Sequence, residues 1–283
     1  MKICRFNDGR VGIVRDRRVF DVTAQAHAAS STRSNNQDLV IAALPGLRRL
    51  ADAEIAACPA HPIESVRLQS PILAPGKIVA APVNYQAHIQ EMHASNISPG
   101  HSIPEIGKAG LFLKANSSLA GPSQGIALRF PDRRTDHEIE LVAIIGESAN
   151  QVSHADGLKA VAGYCLGLDI TLRGPEDRSF RKSIDGYSIL GPWLTTHDEI
   201  QDPQNLQLSL HNNDELRQNT STADMIYDVA RIIEFASSFY TLHPGDIVFT
   251  GTPQGVGPIV PGDHLRAHCA ELGTINVAVR AAG

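Results

Sequence analysis

Two glutamates, Glu138 and Glu140, stand two positions apart at the start of an apolar segment that ends at Ile145. The alternating pattern predicts a β-strand on which both carboxylates lie on one face, with Cα atoms about 6.6 Å apart. Burying two such carboxylates requires a compensating cation or a shared proton, and oxygen ligands at this spacing suit Mg²⁺, Mn²⁺ or Ca²⁺. The alternative is an edge strand on which both glutamates are exposed to water. The spacing of the two residues alone favours this alternative.

Asp169 follows the apolar run 163–168, where a charged residue is unexpected unless it has a specific role. By itself, Asp169 is equally well explained as a turn residue or a cap. Together with Glu138 and Glu140 it completes a set of three carboxylates that leaves coordination positions for water and a bidentate ligand, as catalytic Mg²⁺ sites do. These three residues are therefore the predicted metal ligands.

His88 and Glu91 form a second group, three residues apart on a predicted helix and hence on the same helical face. A carboxylate beside an imidazole fixes the tautomer of the ring, which is how a water-activating base is built. The alternative is an ordinary pair on the surface, which is the commoner outcome for this spacing.

Three further features are candidates for substrate contacts. Lys182 and Arg173 lie shortly after Asp169. Without further information, both would be interpreted as loop residues exposed to solvent. The glycine-rich loop 251–257 follows a predicted strand and offers backbone N–H groups and the Thr252 hydroxyl, which suit a substrate carboxylate. It does not match a phosphate-binding P-loop or a dinucleotide fingerprint.

The predicted elements that position these residues are mostly strands. The first 23 residues predict short antiparallel strands with tight turns, and a small N-terminal domain, residues 1–70, precedes a main domain, residues 71–283. In the main domain we predict strands over 137–145, 163–171 and 189–195, and helices around 88–92 and over 224–240. The proline- and glycine-rich stretch 95–110 predicts a long surface loop, typical of a lid. The fold class is therefore α+β and rich in strands.

Composition excludes several classes of protein. The chain has 283 residues, 42% of them hydrophobic and 19% charged, which is enough to bury a large core. A net charge of -5 without a dense Lys/Arg block argues against nucleic acid or an anionic membrane as partner. No apolar run approaches the roughly 20 residues of a membrane span, and the start lacks a signal-peptide pattern, so we expect a cytoplasmic protein. The four cysteines form no CxxC pair, which excludes a zinc-knuckle or redox motif.

An ordered series of motifs over about residues 71–280 resembles the fumarylacetoacetate hydrolase family. The order and spacing together make the resemblance specific, since any single motif could arise by chance. The motifs are Lys77-Ile78-Val79, Asn84-Tyr85 with His88, Phe112-Leu113-Lys114 with Ser117-Ser118, Glu138-Ile139-Glu140-Leu141, Gly163-Tyr164 to Asp169, Lys182-Ser183, Leu190-Gly191-Pro192, and Pro244-Gly245-Asp246 to Thr250-Gly251-Thr252-Pro253.

The resemblance implies a mixed β-roll catalytic domain with a small N-terminal α/β module, assembled as a homodimer. It implies Mg²⁺ or Mn²⁺ bound by the residues that match Glu138, Glu140 and Asp169. The remaining matches imply catalytic roles for His88 and Glu91 on a closing lid and for Lys182, and substrate contacts through Arg173, Thr252, Gly251 and Tyr85. The first 70 residues receive no chemical role.

The chain departs from the family pattern at two places. Pro82 stands where many members have glycine, two residues before the Asn-Tyr step, and Leu172 and Gly174 flank Arg173 where acylpyruvate-cleaving members have Ala and Asp. The second departure bears on the identity of the substrate rather than on metal binding.

The resemblance implies an enzyme of aromatic or sugar catabolism that acts on a small 2-oxo or 1,3-dioxo acid. We expect a hydrolase that cleaves a C–C bond of an acylpyruvate-type acid through a metal-stabilised pyruvate enolate. The alternatives are an isomerase, tautomerase or decarboxylase of 2-oxo dicarboxylic acids such as oxaloacetate, and a non-catalytic metabolite-binding protein.

Overall fold

The computed structural model describes residues 1–30, 37–95 and 106–282. The strands in these residues, in chain order, are β1 Lys2–Phe6, β2 Arg10–Arg15, β3 Arg18–Asp21, β4 Ala60–Pro62, β5 Leu68–Gln69, β6 Ile78–Ala80, β7 Phe112–Lys114, β8 Leu119–Ala120, β9 Ile126–Leu128, β10 Thr135–His137, β11 Ile139–Ile145, β12 Val161–Asp169, β13 Thr171–Leu172, β14 Ser188–Thr196, β15 Gln207–Asn212, β16 Glu215–Ser221, β17 Ile247–Phe249, β18 Gly257–Pro258, β19 His264–Cys269 and β20 Gly273–Ala281.

Helices are fewer and mostly short. The α-helices are α1 Thr23–Ala29, α2 Leu39–Leu47, α3 Asp52–Ala56, α4 Gln86–Ser95, α5 Ile106–Ala109, α6 His154–Gly157, α7 Arg178–Arg181 and α8 Val229–Phe239. Single 3₁₀ turns occupy Ile63–Ser65, Asn116–Ser118, Pro122–Gln124, Leu158–Ala160, His197–Glu199 and Thr222–Asp224. The predicted α+β, strand-rich fold class is confirmed.

The strands form one large sheet and two small ones. The large sheet runs β4-β3-β2-β1-β14-β12-β11-β17-β6-β7, with β5 beside β1 and β8 beside β14. The small sheets run β13-β10-β18 and β16-β15-β19-β20-β9. Since β11 pairs with β12 on one side and with β17 on the other, it is an interior strand rather than an edge strand.

Strand β11 is buried on both faces. Leu141 and Ala143 belong to one apolar core, whereas Val142 and Ile144 belong to another, as the alternation of side chains across a strand requires. The second core also contains side chains of α1 and α2, so the N-terminal segment covers this side of the sheet. Glu140 is on the side of Val142 and Ile144, which places its carboxylate at the end of this apolar layer.

The N-terminal segment extends the large sheet. Strand β1 pairs antiparallel with β14, where Lys2 lies opposite Thr195, and the predicted antiparallel pairing of the first strands is present. The division of the chain at residue 70 into two domains stays a prediction.

The chain changes sheets at Glu138. Strand β10 ends at His137 and pairs with β13 and β18, whereas β11 begins at Ile139 and pairs with β12 and β17. The prediction of one continuous strand over 137–145 is therefore wrong at Glu138. The reason is that the Ile139 N–H donates to the side-chain oxygen of Gln218 at 3.0 Å, which takes the place of a ladder hydrogen bond.

Helix α4 carries His88 and Glu91, as predicted, and Asn84 holds its start in place. The Asn84 side-chain amide donates to the carbonyl oxygens of Tyr227 and Thr250, both at 2.8 Å. Of the predicted lid loop, residues 96–105 lie outside the described residues, and α5 occupies most of the rest. Among the described residues, no helix is both long and apolar enough to cross a membrane.

Candidate metal and catalytic centre

The three predicted metal ligands converge in space. One carboxylate oxygen from each of Glu138, Glu140 and Asp169 lies within 4.8 Å of the others, and all three residues are buried. Asp169 ends β12, and its backbone N–H donates to the Glu138 carbonyl at 2.9 Å, which joins the two chain segments. The alternative of two water-exposed glutamates on an edge strand is therefore wrong, because Glu138 is only 3% and Glu140 only 1% exposed.

Two buried lysines contact this group. The Lys182 ammonium donates to Glu138 Oε2 and to Asp169 Oδ2, both at 2.6 Å. The Lys114 ammonium forms an ion pair with Asp169 Oδ1 and donates to the Tyr187 carbonyl at 3.0 Å. Sequence reasoning gave Lys114 no role. A signal was present, because Lys114 shares a strand face with Phe112, which is buried in the core.

Arg173 orients Glu138 from the other side. Its guanidinium donates to Glu138 Oε1 at 3.0 Å and to Asp136 Oδ2 at 2.8 Å. Burial alone would raise the pKa of Glu138, but Lys182 and Arg173 outweigh burial and hold this pKa well below its ordinary value. Glu138 is therefore an ionised carboxylate with a fixed orientation.

Glu140 is the carboxylate with the least compensation. In the described part of the chain, no lysine or arginine hydrogen-bonds to it, and its Oε2 accepts from the Gly251 backbone N–H at 2.6 Å. Burial, reinforced by the charge of Asp169, raises the pKa of Glu140 well above its ordinary value. A divalent cation between the three carboxylates would supply the missing positive charge, and three hard oxygen donors fit Mg²⁺ or Mn²⁺.

Gly251 makes this contact possible. Its φ of +97° is a conformation that residues with a side chain rarely adopt, and a Cβ at this position would come within 2.6 Å of Asn84 Cβ. The loop after β17 therefore requires glycine at the point where it approaches both Glu140 and the start of α4.

His88 is buried and Glu91 is half-buried, so the two residues are not an ordinary surface pair. His88 Nδ1 lies 3.0 Å from Glu91 Oε2, and His88 is only 3% exposed. Because a carboxylate only accepts hydrogen bonds, Nδ1 carries the proton and Nε2 of the neutral ring keeps a basic lone pair. Glu91 Oε1 accepts from the Gly255 N–H at 2.9 Å, so the glycine-rich loop also holds the pair in place.

The Thr252 hydroxyl is held by two partners. It donates to the Ile139 carbonyl at 2.9 Å and accepts from Gln218 Nε2 at 2.9 Å. The Gln218 side chain also donates to the Pro253 carbonyl at 3.0 Å and faces His137 Nδ1 at 3.2 Å. The sequence did not predict a role for Gln218, because this residue lies on the distant strand β16 and no motif surrounds it.

Tyr85 is buried within reach of the charge of Glu140. Its side chain is 1% exposed, and its hydroxyl has no hydrogen-bond partner among the residues that the structure describes. Burial, followed by the charge of Glu140, raises the pKa of Tyr85 above its ordinary value. The phenol is therefore a neutral group that can donate a hydrogen bond to a ligand of the site.

Comparison with known proteins relates this chain to one family of enzymes. Residues 77–280 match the family described as Fumarylacetoacetate (FAA) hydrolase C-terminal. The chain is 50% identical to a maleylpyruvate hydrolase of Aquipseudomonas alcaligenes over 285 residues, 99% of both chains, and 36% identical to an oxaloacetate tautomerase of Escherichia coli over 67% of this chain and 86% of that one. The crystal structure of maleylpyruvate hydrolase from Sphingobium sp. SYK-6 in complex with manganese(II) and pyruvate superposes with a TM-score of 0.85, at 37% identity and over 100% of both chains.

Proposed function

The chain belongs to the fumarylacetoacetate hydrolase family, and we propose that it is a divalent-metal-dependent hydrolase that cleaves a C–C bond in an acylpyruvate of aromatic catabolism. The observation that carries the proposal is the convergence of three buried carboxylates within 4.8 Å, together with the His88–Glu91 hydrogen bond, whose imidazole is buried. Maleylpyruvate, on which the relatives from Aquipseudomonas and Sphingobium are named to act, is the first substrate to assay.

In this proposal Glu138, Glu140 and Asp169 hold Mg²⁺ or Mn²⁺. When bound, the ion polarises the 2-oxo acid end of the substrate and lowers the cost of negative charge there. Arg173 keeps Glu138 oriented, and the Gly251 N–H does the same for Glu140. The ligand oxygens are thus held in place by neighbours rather than by the ion alone.

His88 is the proposed general base. Its Nε2 takes a proton from water while Glu91 holds Nδ1, and the hydroxide oxygen attacks the carbonyl carbon farther from the carboxylate. The bond between this carbon and the adjacent methylene then breaks, and the methylene carbon regains a proton. The products are pyruvate and the carboxylic acid of the acyl group, so that one water is consumed for each bond broken.

Lys182 is the proposed stabiliser of developing negative charge. Although burial opposes its charge, Asp169 and Glu138 outweigh burial and raise the pKa of Lys182, so it stays an ammonium. Two of its three N–H donors are engaged by these carboxylates, which leaves one for a substrate oxygen.

Thr252, Gly251 and Tyr85 are the proposed contacts to the substrate on the loop side. Because the Thr252 hydroxyl proton is donated to the Ile139 carbonyl, a substrate carboxylate must take over that hydrogen bond when it binds. The Tyr85 hydroxyl forms no hydrogen bond within the described residues, so none has to be broken when a substrate binds.

A tautomerase of oxaloacetate is the second candidate, favoured by the similarity to the Escherichia coli enzyme. The two functions separate in parallel assays with Mg²⁺ and Mn²⁺. A lactate dehydrogenase-coupled assay detects pyruvate released from acylpyruvates, and the ultraviolet absorbance of the enol follows oxaloacetate. We expect pyruvate release from acylpyruvates, whereas turnover of oxaloacetate alone would contradict the hydrolase assignment.

We also propose that the protein is located in the cytoplasm. In this proposal it works as a homodimer, which is the assembly that the family resemblance implies. Light scattering coupled to size-exclusion chromatography tests the assembly, since a chain mass of 30.4 kDa makes monomer and dimer easy to separate.

A further inference from the structure

We propose that His137 is a positioning residue of the substrate site, which acts through the Gln218 side chain to keep the Thr252 hydroxyl proton available to a substrate carboxylate. This inference rests on the proposed function, in which Thr252 contacts the substrate. It adds a residue that does not touch the substrate itself. Three hydrogen-bonded side chains carry it, and all three are buried.

The orientation of the Gln218 amide follows from two backbone groups. Its Oε1 lies 3.0 Å from the Ile139 nitrogen, which can only donate, and its Nε2 lies 3.0 Å from the Pro253 carbonyl oxygen, which can only accept. The reverse orientation would place donor against donor and acceptor against acceptor. Gln218 Oε1 is therefore the acceptor in each hydrogen bond that it makes.

His137 supplies a second donor to this oxygen. Its Nδ1 lies 3.2 Å from Gln218 Oε1, and because the oxygen can only accept, Nδ1 carries a proton. A carbonyl oxygen has two lone pairs, so the N–H groups of His137 and Ile139 together occupy both. Among the described residues, His137 Nε2 has no hydrogen-bond partner. The imidazole therefore contributes to the site through Nδ1.

The orientation of Gln218 decides what Thr252 offers to a ligand. Gln218 Nε2 donates to Thr252 Oγ1 at 2.9 Å, so the hydroxyl proton points elsewhere, to the Ile139 carbonyl at 2.9 Å. A substrate carboxylate can take over this proton without disturbing Gln218. If the amide were reversed, its oxygen would accept the proton, and Thr252 would present only lone pairs to the carboxylate. The observed orientation therefore keeps the hydroxyl a donor toward an anion.

Strand β18 shields the His137 donor from solvent. His137 lies opposite Gly257 where β10 pairs with β18, and a Cβ at Gly257 would come within 3.4 Å of His137 Nε2. The lack of a side chain at Gly257 lets β18 approach the imidazole closely. Because bulk water cannot readily replace a buried donor, loss of the His137 N–H would leave one lone pair of Gln218 Oε1 unpaired and weaken the hold on its orientation.

Two substitutions separate the donor of His137 from its volume. His137→Leu keeps most of the volume and loses the donor, whereas His137→Asn is smaller and keeps an N–H at the position of Nδ1. In calorimetric titrations with pyruvate at saturating Mg²⁺, we expect about fivefold weaker binding by His137→Leu and a change of less than about twofold in His137→Asn. A residue that only fills space would give the opposite order, because asparagine leaves the larger cavity.

Thr252→Val tests whether the effect passes through the hydroxyl. Valine has the shape of threonine without the hydroxyl, so adding His137→Leu to this variant should weaken pyruvate binding by less than about 1.5-fold. His211→Leu is the matched control, because it makes the same chemical change on the neighbouring strand β15, where Nδ1 of His211 has no partner among the described residues. It should bind pyruvate as the unaltered protein does.

Weaker binding by His137→Asn than by His137→Leu, or an undiminished effect of His137→Leu in Thr252→Val, overturns the inference. Failure of the unaltered protein to bind pyruvate overturns it as well. If His137→Leu does not fold, His137→Phe takes its place, since phenylalanine also lacks the donor. Failure of the proposed function has another signature, because pyruvate would then bind with this order of affinities although no acylpyruvate is hydrolysed.

Discussion

The backbone N–H of Asp169 donates to the carbonyl oxygen of Glu138 at 2.9 Å. This hydrogen bond joins the last residue of β12 to the point where the chain leaves the small sheet for the large one. Two of the three carboxylates are therefore positioned by main-chain geometry, before any side-chain contact is considered. Preorganisation of this kind lowers the cost of bringing like charges together.

Glu140→Gln should stabilise the metal-free protein and abolish its response to metal. The change removes a buried, poorly compensated charge but keeps an oxygen that can accept from the Gly251 N–H, so we expect a gain of about 1–3 kcal/mol in the free energy of unfolding. Denaturant titrations with and without Mg²⁺ measure both effects. A destabilised metal-free variant that still gains stability from Mg²⁺ would exclude Glu140 as a ligand.

His88→Ala should lower kcat/KM for an acylpyruvate by at least about 100-fold, because the variant lacks the proposed general base. Metal affinity should not change, since His88 is not one of the three converging carboxylates. Steady-state kinetics and a parallel metal titration make the comparison. An unchanged rate would favour a different base or a non-catalytic binding protein.

Gln218 tests how the Thr252 hydroxyl is positioned. Gln218→Glu keeps the oxygen that accepts from the Ile139 N–H but loses the donor to Thr252, so KM should rise about tenfold with a smaller change in kcat. Gln218→Leu loses both and should also cost about 1–3 kcal/mol of stability, because it leaves a buried N–H without a partner. If KM is unchanged in the glutamate variant, Thr252 does not depend on Gln218.

Stability should fall as the pH rises above 9 because of buried thiols. Burial raises the pKa of Cys4 from 9.0 to about 12. Between these values the folded state keeps a proton that the unfolded chain loses, so the free energy of unfolding decreases by up to about 1.4 kcal/mol per pH unit for this group. Urea titrations at pH 8.5 and 10.5 measure the slope, which should be shallower in Cys4→Ala. Identical slopes would show that Cys4 does not contribute.

The strand-rich fold and the shared face of Glu138 and Glu140 were predictable from the sequence, because alternation and spacing are local signals. The grouping of Asp169 with them was supported by the resemblance to the family, because Asp169 lies on another strand. The burial of Glu138 and Glu140 was not predictable, because it depends on strands from distant parts of the chain that pair on both sides. The break at Glu138 depends in the same way on Gln218, 80 residues later in the chain. Local sequence patterns therefore identified candidate residues of the metal site, whereas the pairing of distant strands determined how those residues are arranged.

Helix α2 also shows that a local sequence pattern does not fix the exact end of an element. Residues 38–57 predict a helical stretch that Pro45-Gly46 breaks into two pieces, and two helices are present, but the break comes after Leu47 and not at Pro45. Proline removes a single backbone donor, and the buried Leu44 and Leu47 pack into the N-terminal core on either side of it. Lys114 was missed for a related reason, because its role depends on Asp169 and Tyr187, which lie next to it only in the folded chain.

The central claim, that three carboxylates bind one divalent ion, is tested most directly by titrating the metal-free protein with Mn²⁺ and following free Mn²⁺ by electron paramagnetic resonance. We predict one Mn²⁺ bound per chain and an affinity at least about 100-fold weaker in Asp169→Asn. Equal affinity in Asp169→Asn, or full hydrolysis by chelator-treated protein, would contradict the claim.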